Sequence, residues 1–213
     1  MVNAEERAYR FIISSILSGY YHPGDFLLEL ELAERLEMSR TPVSRALMRL
    51  VSEGFLNKMP KKGCCIPVPT PAEAELIFAA RMCAEAEAAG LAAKNASLDE
   101  IRKIELYLDE DKLAYARKDR EGWANINEAF HLGIAQIGHN PFVEKWVQNT
   151  FWRSNVYIFY FDGFYKDTDI VVVHETPVQH DAIMKAIRER NEEEARMWMR
   201  KHVHTTYSKL LLR

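Results

Sequence analysis

The segment Met38-Ser39-Arg40-Thr41-Pro42-Val43-Ser44-Arg45-Ala46-Leu47-Met48-Arg49-Leu50 constrains the fold of this chain more than any other. Val43, Leu47 and Leu50 recur at i, i+4 and i+7, the spacing of a short helix with one apolar face turned inward. Ser39 is expected to be the N-cap, its hydroxyl accepting from a first-turn backbone N–H. Arg40, Ser44, Arg45 and Arg49 point away from the apolar stripe. A helix start that offers Ser39, Arg40 and Thr41 together suits a DNA groove, because amides and hydroxyls take phosphate and guanidinium forks take guanine edges. Glu31-Leu32-Ala33-Glu34-Arg35-Leu36 forms a short amphipathic helix before it. Only Glu37-Met38 separates the two, which predicts a helix-turn-helix. Downstream, Gly54 ends the second helix. Leu56–Met59 and Cys64–Val68 then read as two strands around Pro60-Lys61-Lys62-Gly63, a hairpin wing with a basic tip at Lys61, Lys62 and Gly63.

Charge supports a local nucleic-acid surface and opposes a global one. Between Ser39 and Lys62 there are six basic residues (Arg40, Arg45, Arg49, Lys58, Lys61, Lys62) against the single acid Glu53, while the whole chain carries −3. A protein that coats nucleic acid without preference is usually basic overall. A small basic patch on an acidic body suits a specific binder of duplex DNA that engages a few phosphates and some base edges.

No apolar run approaches the ~20 residues needed to cross a bilayer, and Glu5, Glu6, Arg7 and Arg10 interrupt the first twenty positions, so these do not read as a signal peptide. Three cysteines, two of them adjacent, make no disulfide framework and lack zinc-knuckle spacing. The expectation is a cytoplasmic protein with free thiols. Pro67, Pro69 and Pro71 stiffen a connector that divides residues 1–70 from 71–213. Beyond it the pattern becomes long and helical. Thr70-Pro71-Ala72-Glu73 is a capping box opening a helix to about Asn95, and Ser97-Leu98-Asp99-Glu100 opens another to about Lys118. Asp119 caps a third through Ile134, Asn140-Pro141 starts a fourth to near Phe161, a fifth runs from about Glu175 to Arg190, and a sixth starts at Asn191 and reaches about Leu210. Loops this short join antiparallel neighbours. The predicted fold is therefore mostly α: an N-terminal winged helix-turn-helix, then an all-helical antiparallel bundle.

Four polar residues interrupt the inner faces of that bundle. Asn127 and His131 stand at i, i+4 on one helix and share a face. His180 lies on the fifth helix, and His202 is in the middle of the sixth. Imidazoles from separate helices can converge on a metal inside a bundle. Spacing alone equally allows each histidine to be a satisfied or solvent-exposed helix residue.

The N-terminal third resembles the winged helix of the GntR family of bacterial regulators. The resemblance is carried by His22-Pro23-Gly24, Glu31-Leu32-Ala33-Glu34-Arg35-Leu36, Ser39-Arg40-Thr41-Pro42-Val43, Ala46-Leu47, Arg49-Leu50 and Glu53-Gly54. The remainder resembles the helical ligand-binding domain of the FadR-like subfamily, called FCD, through Arg81-Met82-Cys83-Ala84-Glu85, Asn127-Glu128-Ala129-Phe130-His131, His180 and His202. The resemblance implies a divalent transition metal, zinc or nickel for a three-imidazole set, on Asn127, His131, His180 and His202. Members often have Asp where Asn127 stands, and a neutral amide is a weaker ligand. His174 and His204 are expected to be bystanders. The resemblance also puts Arg81 in the cavity as a candidate for a small carboxylate effector, although a salt bridge to Glu85 is a competing role. Arg153 is a weaker candidate. In the reading helix, members usually have Arg-Glu where this chain has Ser44-Arg45, so base preference at that step should differ.

These readings converge on a homodimeric transcriptional regulator of double-stranded operator DNA, controlled by a small carboxylate bound at a metal site, with no membrane partner. Two other functions fit the same residues. One is a metal-dependent enzyme in the bundle with an accessory DNA-binding head. The other is a regulator whose bundle only dimerises.

Overall fold

In the computed structural model, residues 3–117, 119–162 and 175–210 are described, and the chain divides into two compact units, Met1–Thr70 and Pro71–Arg213. In the first unit, Asn3 caps α1 (Ala4–Leu17) by accepting from the Glu6 amide at 2.7 Å. A short strand β1 (Phe26–Leu27) follows, then α2 (Glu29–Arg35) and α3 (Arg40–Ser52). Val43, Leu47 and Leu50 are buried as their spacing predicts, against Ala8, Tyr9 and Ile12 in the same small core. Ser39 occupies the N-cap position with extended backbone, but its side chain makes no capping hydrogen bond. The expectation of a hydroxyl cap is corrected here: this helix start is exposed, and water can satisfy its first-turn amides.

The predicted hairpin wing forms from β2 (Asn57–Met59) and β3 (Gly63–Cys65), paired antiparallel with Lys58 opposite Cys64, but its second strand is shorter than the expected Cys64–Val68: it starts at Gly63 and ends before Ile66. The sheet gains a third strand the sequence did not reveal: β1 pairs with the other edge of β3, Leu27 opposite Cys64, so the order is β1-β3-β2. At the tip the Lys62 amide donates to the Met59 carbonyl at 3.1 Å. Pro60 presets the turn, and Lys61 takes a left-handed conformation with φ 61°. Gly63 has φ 91°, and an added Cβ would stand 3.2 Å from the Leu27 carbonyl, so both torsion and space call for glycine.

Among its described residues the second unit is a bundle of six helices: α4 (Pro71–Asn95), α5 (Leu98–Ala116), α6 (Arg120–Ile137), α7 (Pro141–Phe161), α8 (Thr176–Arg188) and α9 (Glu192–Ser208). Its helix starts are set locally. Ser97 and Glu100 close a reciprocal capping box. Asp119 accepts from the Gly122 amide, Asn140 from Phe142 and Val143, and Asn191 from Glu194. The Ala-rich α4 is buried on most sides and packs against α6, α7, α8 and α9. Small side chains let α9 come close, and at Gly90 an added Cβ would fall 2.3 Å from the Arg196 guanidinium carbon. α4 and α7 run antiparallel: Arg153 reaches back to Glu73, while Ala84 and Ala88 pack on Val147 and Val143.

Candidate metal centre and nucleic-acid interface

In the first unit the start of α3 carries the exposed side chains of Ser39, Arg40, Thr41 and Arg45. Ser44 is half-buried and donates to Glu29 Oε1 at 2.8 Å, and Arg40 Nη2 lies 3.6 Å from Glu29 Oε2. Glu29 was not singled out from sequence, yet it anchors both. Lys61, Lys62 and Gly63 are exposed at the wing tip. Arg49 is placed differently. Its Nη1 pairs with Glu6 at 2.7 Å, its Nε with Glu53 at 3.0 Å, and its guanidinium lies 3.9 Å over the Tyr9 ring. These contacts hold it back on α1, and against the opposing effect of burial they raise its pKa above the usual arginine value. It therefore works as a tether within the head, whereas Arg40 and Arg45 project outward.

In the bundle, α6, α8 and α9 bring His131, His180 and His202 together, all essentially buried, with their ligating atoms within 4.8 Å of one another. Packing fixes the rings. His180 stacks on Phe130 at 3.9 Å, and His131 stacks on His202 at 5.1 Å between centroids. Hydrogen bonds fix the tautomers. His131 Nδ1 donates to the Glu85 carboxylate at 2.5 Å, so its Nε2 carries the lone pair. His202 Nδ1 donates to Gln179 Oε1 at 3.1 Å. The Gln179 amide cannot flip without loss, because its nitrogen donates to Glu175 and to Thr205. The two bare Nε2 atoms face each other at 3.3 Å. Two lone pairs with no proton between them repel. Two nitrogens on one tetrahedral ion at ~2.05 Å stand about 3.3 Å apart, so the donor set fits a divalent transition metal. Asn127 lines the same cavity, and its Nδ2 donates to the Trp123 carbonyl at 2.9 Å, leaving Oδ1 as the atom suited to a cation.

Burial pushes the His131 imidazole down to about 4, the Glu85 carboxylate only partly opposing it. His202 is held well below the usual histidine range by burial first and then by His180, His131, Arg81 and Lys209. Both rings are thus neutral at neutral pH, the form a metal requires. Burial would raise Glu85, but the Arg81 charge and the hydrogen bonds from His131 and Arg81 outweigh it and bring its pKa to about 2.

Arg81 is 2% exposed and lines the cavity, while its Nε binds Glu85 and its Nη1 donates to Ser154 at 3.1 Å. The salt bridge to Glu85 thus forms while the side chain also lines the cavity. Arg153 is engaged with Glu73 and does not line this cavity. His204 is exposed on α9, and His174 lies outside the described residues. Glu85 was visible in sequence only as a partner for Arg81. Its bond to His131 spans 46 positions, and no local signal reports it. Gln179, Asn155 and Lys209 gave none either.

Known proteins place this geometry in context. The model of the bacterial regulatory proteins of the gntR family matches residues 4–66, and that of the FCD domain matches residues 76–205. An uncharacterized HTH-type transcriptional regulator of Agrobacterium vitis is 35% identical over 127 residues, covering 58% of this chain and 74% of that protein. The HTH-type transcriptional regulator McbR of Escherichia coli is 26% identical over 178 residues, covering 84% of this chain and 79% of that one. The solved structure of E. coli McbR/YncC superposes with a TM-score of 0.78 at 24% identity, covering 98% of this chain and 99% of the other. These relatives regulate transcription, so the alternative of an enzyme in the bundle gives way. No helix among the described residues is long and apolar enough to cross a membrane. With its head and bundle matched in this order, the chain belongs to the gntR family of bacterial regulatory proteins and is a DNA-binding transcriptional regulator with an FCD domain.

Proposed function

We propose that this regulator binds operator DNA as a homodimer, holds one divalent transition metal on His131, His180, His202 and Asn127, and responds to a small carboxylate in the bundle cavity. The observation that carries the reading is the facing pair of bare Nε2 atoms at 3.3 Å within a buried three-histidine cluster. A bound cation supplies a full positive charge and an open coordination position to an anion. Around it, Glu85 and Gln179 hold two imidazoles in the ligating tautomer, and Arg81 presents a guanidinium at the cavity wall. A carboxylate alters DNA binding only through unequal affinity for two conformations of the regulator. Arg40, Thr41 and Arg45 serve base and phosphate contacts, Ser44 sets the Glu29 anchor, and Lys61 and Lys62 with the Gly63 backbone meet phosphate.

Dimerisation is supported by exposed aromatic side chains one turn apart at the start of α7, where Phe142 and Trp146 are 85% and 63% exposed. Two large adjacent aromatics facing water mark a candidate interface. Elemental analysis of purified protein tests the metal. About one zinc or nickel per chain is expected, and it should fall sharply in His131→Ala, His180→Ala and His202→Ala. Wild-type protein without metal after zinc or nickel supplementation, or triple retention in the variants, would refute it.

A further inference from the structure

The bundle cavity contains a second cation that the metal reading does not use. Lys209 lines it, and the Lys209 amine is shielded from solvent with no hydrogen-bond partner among the described residues. A buried ammonium without a partner is costly, and a native fold keeps one only where something completes it. Its position is set by α9. His202, Thr206 and Lys209 follow at i, i+4 and i+7 on one face, and all three line the cavity. Seven residues of helix put about 10 Å of axial rise between the histidine and the lysine, and the lysine stem reaches back over part of it. Arg81 stands at the same wall but is already paired with Glu85, whereas the Lys209 amine has no hydrogen-bond partner among the described residues and has charge to give. The cavity volume is only about 20 Å³, so an entering ligand must displace side chains, and the flexible lysine is suited to move.

We infer that Lys209 is the second anchor of the effector, and that the effector is a short dicarboxylate, one end at the histidine cluster and the other on the Lys209 amine with Thr206 and Asn155 as polar neighbours. The inference rests on the carboxylate reading above and adds the second anionic group to it. Asp162 also lines the cavity; it disfavours a third negative charge, and would instead welcome an ammonium if the ligand were an amino acid.

Calorimetry on full-length, zinc-loaded protein tests this with four probes: succinate, glutarate, butyrate and glutamate. Succinate or glutarate should bind more tightly than butyrate. Lys209→Met should weaken the dicarboxylate by about 10- to 100-fold and leave butyrate unchanged, and Lys209→Arg should recover most of the loss. If Lys209→Met leaves the ratio of dicarboxylate to butyrate affinity as in wild type, the Lys209 anchor is wrong while the carboxylate reading stands. If glutamate binds more tightly than both dicarboxylates, the effector class is wrong and Asp162 takes an ammonium. If no carboxylate binds the wild-type protein, both readings fall. Ligand-free Lys209→Met should melt at or above the wild-type temperature, since the uncompensated ammonium is gone, which shows that lost binding is not lost folding.

Discussion

Replacing Glu85 with Gln separates two roles that one carboxylate fills. One oxygen holds Arg81 and the other accepts from His131 at 2.5 Å, with all three side chains at most 2% exposed. Glu85→Gln keeps the shape and removes the charge. It strands Arg81 with the Ser154 hydroxyl as its remaining side-chain partner among the bonds described above, and a buried charge that loses its partner costs about 3–5 kcal/mol. It also withdraws the anion that makes the His131 ring a stronger ligand, a loss worth about 10- to 100-fold in metal affinity. The double variant Glu85→Gln/Arg81→Met removes the stranded charge as well. Its stability should return towards wild type while its zinc affinity stays low. Urea denaturation in the presence of a chelator measures the first quantity, and competition against a chromophoric zinc chelator at neutral pH the second. If Glu85→Gln binds zinc as tightly as wild type, or if the double variant recovers both properties together, Glu85 does not tune the metal ligand and the argument from its geometry fails.

Arg40→Ala should cost about 1–3 kcal/mol on the cognate operator and reduce discrimination. Arg49→Ala should instead lower head stability by about 1 kcal/mol through the loss of Glu6, Glu53 and the Tyr9 ring, with the discrimination ratio unchanged; fluorescence anisotropy on cognate and scrambled duplexes distinguishes them. Lys61→Ala and Lys62→Ala should each weaken both duplexes alike and flatten the slope of log affinity against log salt by about 1 unit. With metal chelated, stability should fall as pH drops. His131 has an ordinary value of 6.5 and a folded value of about 4, so the unfolded chain takes up the proton first. The contribution is full above pH 6.5 and is lost progressively as pH falls to about 4, amounting to about 3 kcal/mol. A melting temperature flat across that window in chelator would contradict it. Asn127→Asp should tighten zinc and weaken a bound carboxylate, because the added charge attracts the cation and repels the anion; calorimetric changes in the same direction would count against the pocket.

Much of this fold is written locally. The capping residues Ser97, Asn140 and Asn191 mark helix starts in sequence because a cap acts over three residues, and their bonds form where expected. The stripe Val43, Leu47 and Leu50 was legible for the same reason. β1 was not, since Phe26–Leu27 is two residues long and shows no alternation. At Arg49 the sequence gives the outward face of α3 but not that α1 packs beside it carrying Glu6 and Tyr9. The histidines could be named one by one, helped by a family resemblance. Their approach to within 4.8 Å of one another depends on the packing of α6, α8 and α9, which no spacing in one sequence encodes. Lys209 stayed silent for a related reason: a lysine near the end of a helix looks like a solvated one until the cavity beneath it is seen.

The buried triad of Arg81, Glu85 and His131 has a consequence for how the bundle assembles. Apolar side chains on α4, α6 and α7 could interdigitate in more than one offset, since Ala-rich surfaces discriminate weakly between neighbouring turns. Sliding α6 by a single turn moves His131 about 5.4 Å along the axis and breaks its bond to Glu85, and a similar slip of α7 takes Ser154 from Arg81. Each wrong offset therefore leaves a polar or charged group in a dry interior, a penalty that smooth apolar packing alone would not impose. The triad acts as a registration key, favouring the alignment of α4, α6 and α7 in which Arg81, Glu85, His131 and Ser154 meet.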